Sequence, residues 1–378
     1  MRNGDKGRFA VLRRVFTSAA AFVSGGAIGA TSWILLAFAY GLLGLIWGPT
    51  LPLSEKPLFV FGSCALGGVV IALWNAIFKS APRPFSSVMA EVKSTGSYSM
   101  GPLVPGVVAF LLPVVFGGSI GVAAGLVGIV ATLCTDAWAL LRKTAHADAF
   151  SRRFGMALKI LIAGGALSAF SAFTFSAGTP VPLPRLEEVC FDLEHAIQAV
   201  LLSLAGCALA LLYAMSGRLS KKAADALSDK PWLRPIACGC ALGAVGAFFP
   251  FVLFPGPVQV TEIMSSWAGM ACTVLVATAA FKMVLTALCM NMGWVGGPFF
   301  PLIFGGVCCG LAIASLSGAD PALAAIVVPA ALLASFSRKP LASVLIMLII
   351  CPVQNIGYLL IAVFMGRLIS PPGTEKAR

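Results

Sequence analysis

The stretch from Phe116 to Val130, FGGSIGVAAGLVGIV, decides the fold. It opens on Gly117, Gly118, Ser119, Ile120 and Gly121, then runs on as an apolar helix with no charge until Asp136. A helix start leaves about four N–H groups without intrahelical partners, and the macrodipole places roughly half a positive charge there. Glycine keeps Cβ atoms away from anything approaching those amides. The bare end over Ser119, Ile120, Gly121, Val122 and Ala123 therefore reads as a cradle for an anion, with the Ser119 hydroxyl as an extra donor. The competing reading is close helix packing, which suits GGAIGATS (25–32) and GGALSAF (164–170) better.

The surrounding chain makes that cradle a membrane feature. Of 378 residues, 59% are hydrophobic and 11% charged, with mean hydropathy +0.96; a soluble domain carries about 25% charged residues. So little charge cannot cover a water-facing surface, and the long apolar runs call for helices rather than barrel strands. The net charge of +12 is uneven. It gathers at Arg2, Lys6, Arg8, Arg13 and Arg14, at Arg142, Lys143, Arg152 and Arg153, and around Arg218, Lys221, Lys222, Lys230 and Arg234. Short basic loops of this kind read as cytoplasmic flanks rather than as a nucleic-acid surface. The first apolar run, from about Val15 to Trp47, is too long for a cleaved signal peptide.

Apolar segments are expected at about 15–48, 57–78, 103–117, 121–141, 154–176, 192–217, 233–253, 263–290, 297–317, 320–336, 339–351 and 353–369. Several fall short of the ~20 residues needed to cross a bilayer. A helix that stops inside the membrane must end against protein or in a wet cavity, because bare backbone cannot face lipid. The Pro-rich connector GTPVPLPRLEEVCFDLE (178–194) divides the chain into halves of about 15–177 and 191–371. FGGSIGVAAG (116–125) in the first half and GWVGGPFFPLIFGG (293–306) in the second lie at matching depths. Paired Gly/Pro-broken segments of this kind point to a transporter binding site. In the second, Gly297 precedes Pro298, whose missing N–H costs nothing in a first turn. The amides of Phe299 and Phe300 then point into the cavity, beside mildly positive ring edges.

Other polar residues read more blandly. Lys282 is taken to snorkel from its apolar run to an interface, and Glu262 to open that same run. Arg338 and Lys339 precede Pro340 in a turn. The eleven cysteines lie mostly in apolar runs and read as packing residues. His146 and His195 have no ligand set around them, so no metal and no cofactor is expected. No paired carboxylates, GxSxG or HExxH lie in an apolar span, which argues against an enzyme.

The residues GGPFFP (296–301) match the GGxFxP motif of the CLC family of chloride channels and proton-coupled anion exchangers, and KMVLTALCMNMGWVGGPFFPLIFGG (282–306) is similar in context. SRKPLASVLIMLIICPVQNIGYLLIAVFMGRL (337–368) resembles that family's penultimate helices. GGSIGVAAGL (117–126) and PRPFSSVMAEVKSTG (82–96) resemble its fluoride-exporting branch. The resemblance implies an all-α polytopic fold, an inverted repeat of broken and tilted helices, and a homodimer with one pore per subunit. It also implies cytoplasmic termini, in keeping with the basic flanks. Residues 1–14 then form a basic cytoplasmic tail, 15–371 one membrane transport domain, and 372–378 a short C-terminal tail.

The departures from the family pattern are specific. Val122 and Ala123 stand where the family has Pro-Glu, and that glutamate is its gate and proton carrier; alanine neither blocks nor titrates. Phe85 stands where the fluoride branch has a methionine lining the ion path. The family's last helix carries a pore tyrosine, and Tyr358 is the only tyrosine near the end of this chain. The expected partners are an inorganic anion (chloride or fluoride), the lipid bilayer of a bacterial inner membrane, and a second copy of the chain. The expected function is halide passage uncoupled from protons. The alternative is a non-conducting relative acting as a binding or scaffold subunit.

Overall fold

The computed structural model describes residues 3–48, 56–78, 85–144, 152–179 and 183–371. These fold as α1 (Asn3–Trp47), α2 (Pro57–Phe78), α3 (Phe85–Thr95), α4 (Leu103–Val115), α5 (Val122–Thr144), α6 (Arg152–Ala177) and α7 (Leu193–Ala226). After them come α8 (Leu233–Gly246), α9 (Pro257–Ser266), α10 (Cys272–Asn291), α11 (Phe299–Ser317), α12 (Pro321–Ser337), α13 (Pro340–Met347) and α14 (Ile356–Leu368). Short 3-10 turns lie at Pro250–Val252, Trp267–Gly269 and Val353–Asn355. The described residues are thus helical without strands, and the chain is a multi-pass membrane protein. Among the described residues, seven helices are long and apolar enough to span a bilayer, within α1, α2, α5, α6, α7, α10 and α11. Others are short. The 13 residues of α4 reach about 20 Å at 1.5 Å per residue, against a hydrocarbon core of ~30 Å.

Two expected boundaries move. The run 233–253 is not one helix: α8 stops at Gly246, and the chain turns through Pro250–Val252 toward Pro255 and Pro257, where missing N–H groups forbid a continuous helix. The run 263–290 is also split. Glu262 lies inside α9, and α10 begins only at Cys272, after the Trp267–Gly269 turn.

Contacts divide the chain into two compact units, one of residues 1–42, 83–107 and 124–181, the other of 43–82, 108–123 and 182–378. In the first, α1 and α6 pack through glycine. A Cβ on Gly25, Gly29 or Gly165 would collide with the backbone carbonyl of Ile162, Ala166 or Phe22 respectively. Ala21, Ile28, Leu141, Leu158 and Ile162 form the adjoining core. The glycines of 25–32 and 164–170 are therefore packing residues.

The second unit is built around α12. From Ala322 to Ser335 every residue of that helix is buried, the mark of a helix that is apolar on all sides. It starts sharply, because the Asp320 side chain accepts a hydrogen bond from the Leu323 N–H at 2.9 Å and Pro321 occupies the first helical position. Glycines let its neighbours close in. Gly206 of α7, Gly310 of α11 and Gly366 of α14 each abut a carbonyl of α12, at Val328, Ala324 and Ala331, and Gly306 of α11 sits on Pro329. Small residues at membrane helix contacts allow such approach. The connector before α7 is stitched to the start of α14. Asn355 accepts from the Val189 N–H at 3.0 Å and donates to the Glu187 carbonyl at 2.9 Å, and the Tyr358 hydroxyl donates to the Cys190 carbonyl at 2.7 Å.

Candidate functional site

The two glycine motifs meet. Gly121 and Gly297 form an isolated antiparallel bridge, the Gly121 N–H donating to the Gly297 carbonyl at 2.6 Å and the Gly297 N–H to the Gly121 carbonyl at 2.8 Å. One residue beyond Gly121, α5 begins, and two residues beyond Gly297, α11 begins. Two helix N-termini from distant parts of the sequence are thus tied at their roots. The approach needs glycine at Gly121, since a Cβ there would lie 3.0 Å from the Gly297 oxygen.

The pairing changes which amides remain free. Gly121 and Gly297 use their N–H groups on each other. Gly118 donates to the Pro113 carbonyl at 2.7 Å and Ile120 to the Gly118 carbonyl at 2.9 Å. Ser119 and Val122 keep their peptide N–H groups without a partner among the described residues, but both are buried, at 0% and 4% exposure. At the second end Phe299 and Phe300 also donate to no group among the described residues, and Pro298, Phe299 and Phe300 are all half-buried. Pro298 sits just before the first turn of α11 rather than within it, and Pro301 removes a third donor from that turn. Phe299 and Phe300 therefore keep peptide N–H groups with no partner among the described residues, in residues less buried than Ser119 and Val122.

Side chains brace the meeting point. The Ser119 and Thr286 hydroxyls lie 3.1 Å apart and both residues are fully buried. One hydroxyl of such a pair donates to the other, which leaves a single proton for a third acceptor. Ile120 packs on Gly296, where a Cβ would sit 2.7 Å from its own Cβ. Trp294 lies against Gly118 and donates its ring N–H to the Pro235 carbonyl at 2.9 Å.

Lys282 does not snorkel. It is wholly buried, and its ammonium donates to the carbonyls of Phe254 at 2.7 Å, Leu253 at 2.8 Å and Val252 at 3.0 Å, with Phe251 at 3.4 Å. It also stands over the Phe304 ring of α11, 5.1 Å from its centroid. No carboxylate pairs with it among the described residues. Burying an ion costs several kcal/mol even after relaxation, and the carbonyl cage offsets part of that cost for a protonated Lys282. The caged turn touches both glycine ends. The Phe254 N–H donates to the Gly117 carbonyl at 3.3 Å, and a Cβ on Gly256 would lie 3.0 Å from the Phe300 carbonyl oxygen. Phe254 adopts φ +63°, a strained conformation for a bulky residue that costs about 1–3 kcal/mol. The Trp47 ring packs edge-on against it at 5.0 Å, while the Trp47 N–H donates to the Val115 carbonyl at 2.8 Å.

The structure brings Ser119, Ile120, Gly121, Val122, Gly297, Pro298, Phe299 and Phe300 together, and sets beside them Lys282, Thr286 and the 250–256 turn, which the sequence reading did not include. The available signals were a lysine and a threonine one helical turn apart on an apolar run, and the proline spacing of PFVLFPGP (250–257). Ala123 is the second residue of α5 and Phe85 the first of α3 in the first unit; both side chains lie outside the described residues. His146 also lies outside them. Tyr358 is buried in the connector clamp. His195 pairs with Asp192 at 2.7 Å. Cys238 and Cys289 place their sulfurs 3.7 Å apart in the core.

Residues 185–371 match the family described as voltage gated chloride channel. Among curated proteins, chloride channel protein CLC-f of Arabidopsis thaliana is 31% identical over 180 residues, covering 42% of this chain. The chain spans 23% of that relative's length. Among solved structures, a CLC-type fluoride/proton antiporter matches with TM-score 0.68 at 18% identity, over 95% of this chain and 96% of the other. A slow cyanobacterial Cl-/H+ antiporter matches with TM-score 0.70 at 16% identity, over 93% and 94%. A eukaryotic CLC transporter matches with TM-score 0.67 at 16% identity, over 96% and 72%. The likeness to solved structures establishes the fold across nearly the whole chain, including the half that the family match does not reach.

Proposed function

We propose, on the premise that this chain belongs to the CLC family of channels and antiporters rather than to any enzyme family, that it passes halide ions across a membrane without stoichiometric proton transfer. The observation that carries the reading is the Gly121–Gly297 bridge, which roots two helix N-termini together beside the Phe299 and Phe300 amides, donors with no partner among the described residues. Unpartnered N–H groups and the positive end of a helix dipole favour an anion. The absence of a carboxylate at Ala123 supports the lack of coupling, because no side chain in the first turn of α5 exchanges a proton. Chloride and fluoride are both accepted by peptide N–H groups, so the proposal covers halides as a class. A homodimer is the expected assembly.

The reading is tested by reconstituting the chain in liposomes and recording chloride and fluoride efflux while monitoring external pH. Halide efflux with no matched proton movement is expected; stoichiometric proton flux would contradict it. A second reading, a non-conducting relative, draws support from the full burial of Ser119, Ile120 and Val122 at the first end. Folded protein that passes no halide would establish that reading instead.

A further inference from the structure

We infer that the Lys282 ammonium is the fixed positive charge of the halide site, locking the 250–256 turn against both glycine ends and favouring a halide at the Phe299 and Phe300 amides. The inference rests on the proposed function and goes further, by naming a residue that sets the site's preference for monovalent anions.

Three observations carry it. First, the ammonium has enough acceptors but no compensating charge. Its three protons are matched by the carbonyls of Val252, Leu253 and Phe254 at 3.0, 2.8 and 2.7 Å. Carbonyl dipoles satisfy those protons yet carry no net charge, so a protonated Lys282 sets a positive charge in a buried place where fields decay slowly. Second, single residues link that charge to each end. Phe254 accepts from Lys282 and donates to Gly117. Gly256, two residues on, abuts the Phe300 carbonyl, and Phe304, four residues into α11 from Phe300, lies under the ammonium at 5.1 Å. Third, Lys282 shares one face of α10 with Thr286, one turn away, and Thr286 pairs with Ser119 beside the bridge. A cation confined between two amide ends, with no acid beside it among the described residues, favours a mobile anion at the adjacent donors.

The bland alternative is that Lys282 only caps the turn. Lys282→Gln separates the two, because the amide still donates to carbonyls but carries no charge, whereas Lys282→Arg keeps charge and donors in a different shape. The full-length wild type and both variants are reconstituted for halide efflux and for the reversal potential under a potassium chloride gradient. Each is also melted in detergent with chloride, fluoride or gluconate. Lys282→Arg is expected to keep most of the flux and the anion preference. Lys282→Gln is expected to fold, to lose roughly tenfold or more of the flux, and to shift its reversal potential toward that of a non-selective path.

A folded Lys282→Gln with wild-type flux and selectivity overturns the inference and leaves the proposed function standing. A Lys282→Gln that fails to fold while Lys282→Arg folds makes the residue a cap, which also overturns it. A wild type that passes no halide removes the conduction reading, and the melts then decide. Halide-specific stabilisation present in wild type and lost in Lys282→Gln supports the fixed charge; its absence in wild type overturns it.

Discussion

The two glycine ends reach the same bridge, yet they are finished differently. The first, Gly117 to Val122, is sealed. It spends the Gly118, Ile120 and Gly121 amides on the protein and buries every residue. The second, Gly297 to Phe300, gives up one amide to the bridge and leaves Phe299 and Phe300 half-buried and unpartnered. The same local chemistry, small residues before an apolar helix, thus leaves one end wholly buried and the other with two unpartnered N–H groups in half-buried residues. Burial and hydrogen bonding, rather than the motif, distinguish the two ends.

That contrast is open to attack from several sides. The largest effect is expected from Ala123→Glu, which places a carboxylate in the first turn of the sealed end. An ionised glutamate would compete for the donor end, so halide efflux should collapse at neutral pH and return as acid protonates it. Efflux indifferent to the change at any pH would mean that the two ends do not serve one ion. Next, Ile120→Ala should cost about 2–5 kcal/mol in unfolding stability, since Ile120 is buried against Gly296. Gly296→Ala alone should also destabilise, and combined with Ile120→Ala should cost less than the sum of the two. Strict additivity would break the packing account of the brace.

Gly118→Ala comes next, at about 1–3 kcal/mol. Its Cβ would lie 2.5 Å from the Pro113 carbonyl oxygen, whereas at Gly121 the nearest oxygen stands at 3.0 Å, so Gly121→Ala should be milder in a detergent melt. Thr286→Val should cost about 1 kcal/mol, because it strands the Ser119 hydroxyl. Pairing it with Ser119→Ala should recover most of that loss.

The smallest effect lies outside the membrane, at Asp192. The His195 peptide N–H, donating at 2.7 Å, and then the His195 side chain hold the Asp192 carboxyl below its usual range. A depressed folded value gives stability that is present above the unfolded value of about 3.9 and lost as pH falls through the folded one. Asp192→Ala should therefore melt slightly below wild type at neutral pH, with the gap closing in acid.

Much of this fold was legible in the chain. Sparse charge and long apolar runs imposed membrane helices, and the starts of α5 and α11 followed from the Gly and Pro residues near Gly121 and Pro298. The paired glycine ends were legible as a pair because both break an apolar run. What could not be read was which amides survive the pairing. The Gly121–Gly297 bridge joins residues 176 apart in number, and no local preference records it. Lys282 was misread for a related reason. An isolated lysine in an apolar helix usually reaches for water, and only the tertiary convergence of four carbonyls makes burial tolerable. The break at 247–256 had prolines to announce it, but its apolar content hid the turn.

In the proposed function the second end, not the first, holds the anion by peptide hydrogen. The most direct measurement is a crystal of the full chain grown with bromide in place of chloride, with data collected at the bromine edge. The account predicts an anomalous peak within hydrogen-bonding reach of the Phe299 and Phe300 amides. A peak seated instead among Ser119, Ile120 and Val122, or none near the Gly121–Gly297 bridge, would contradict it.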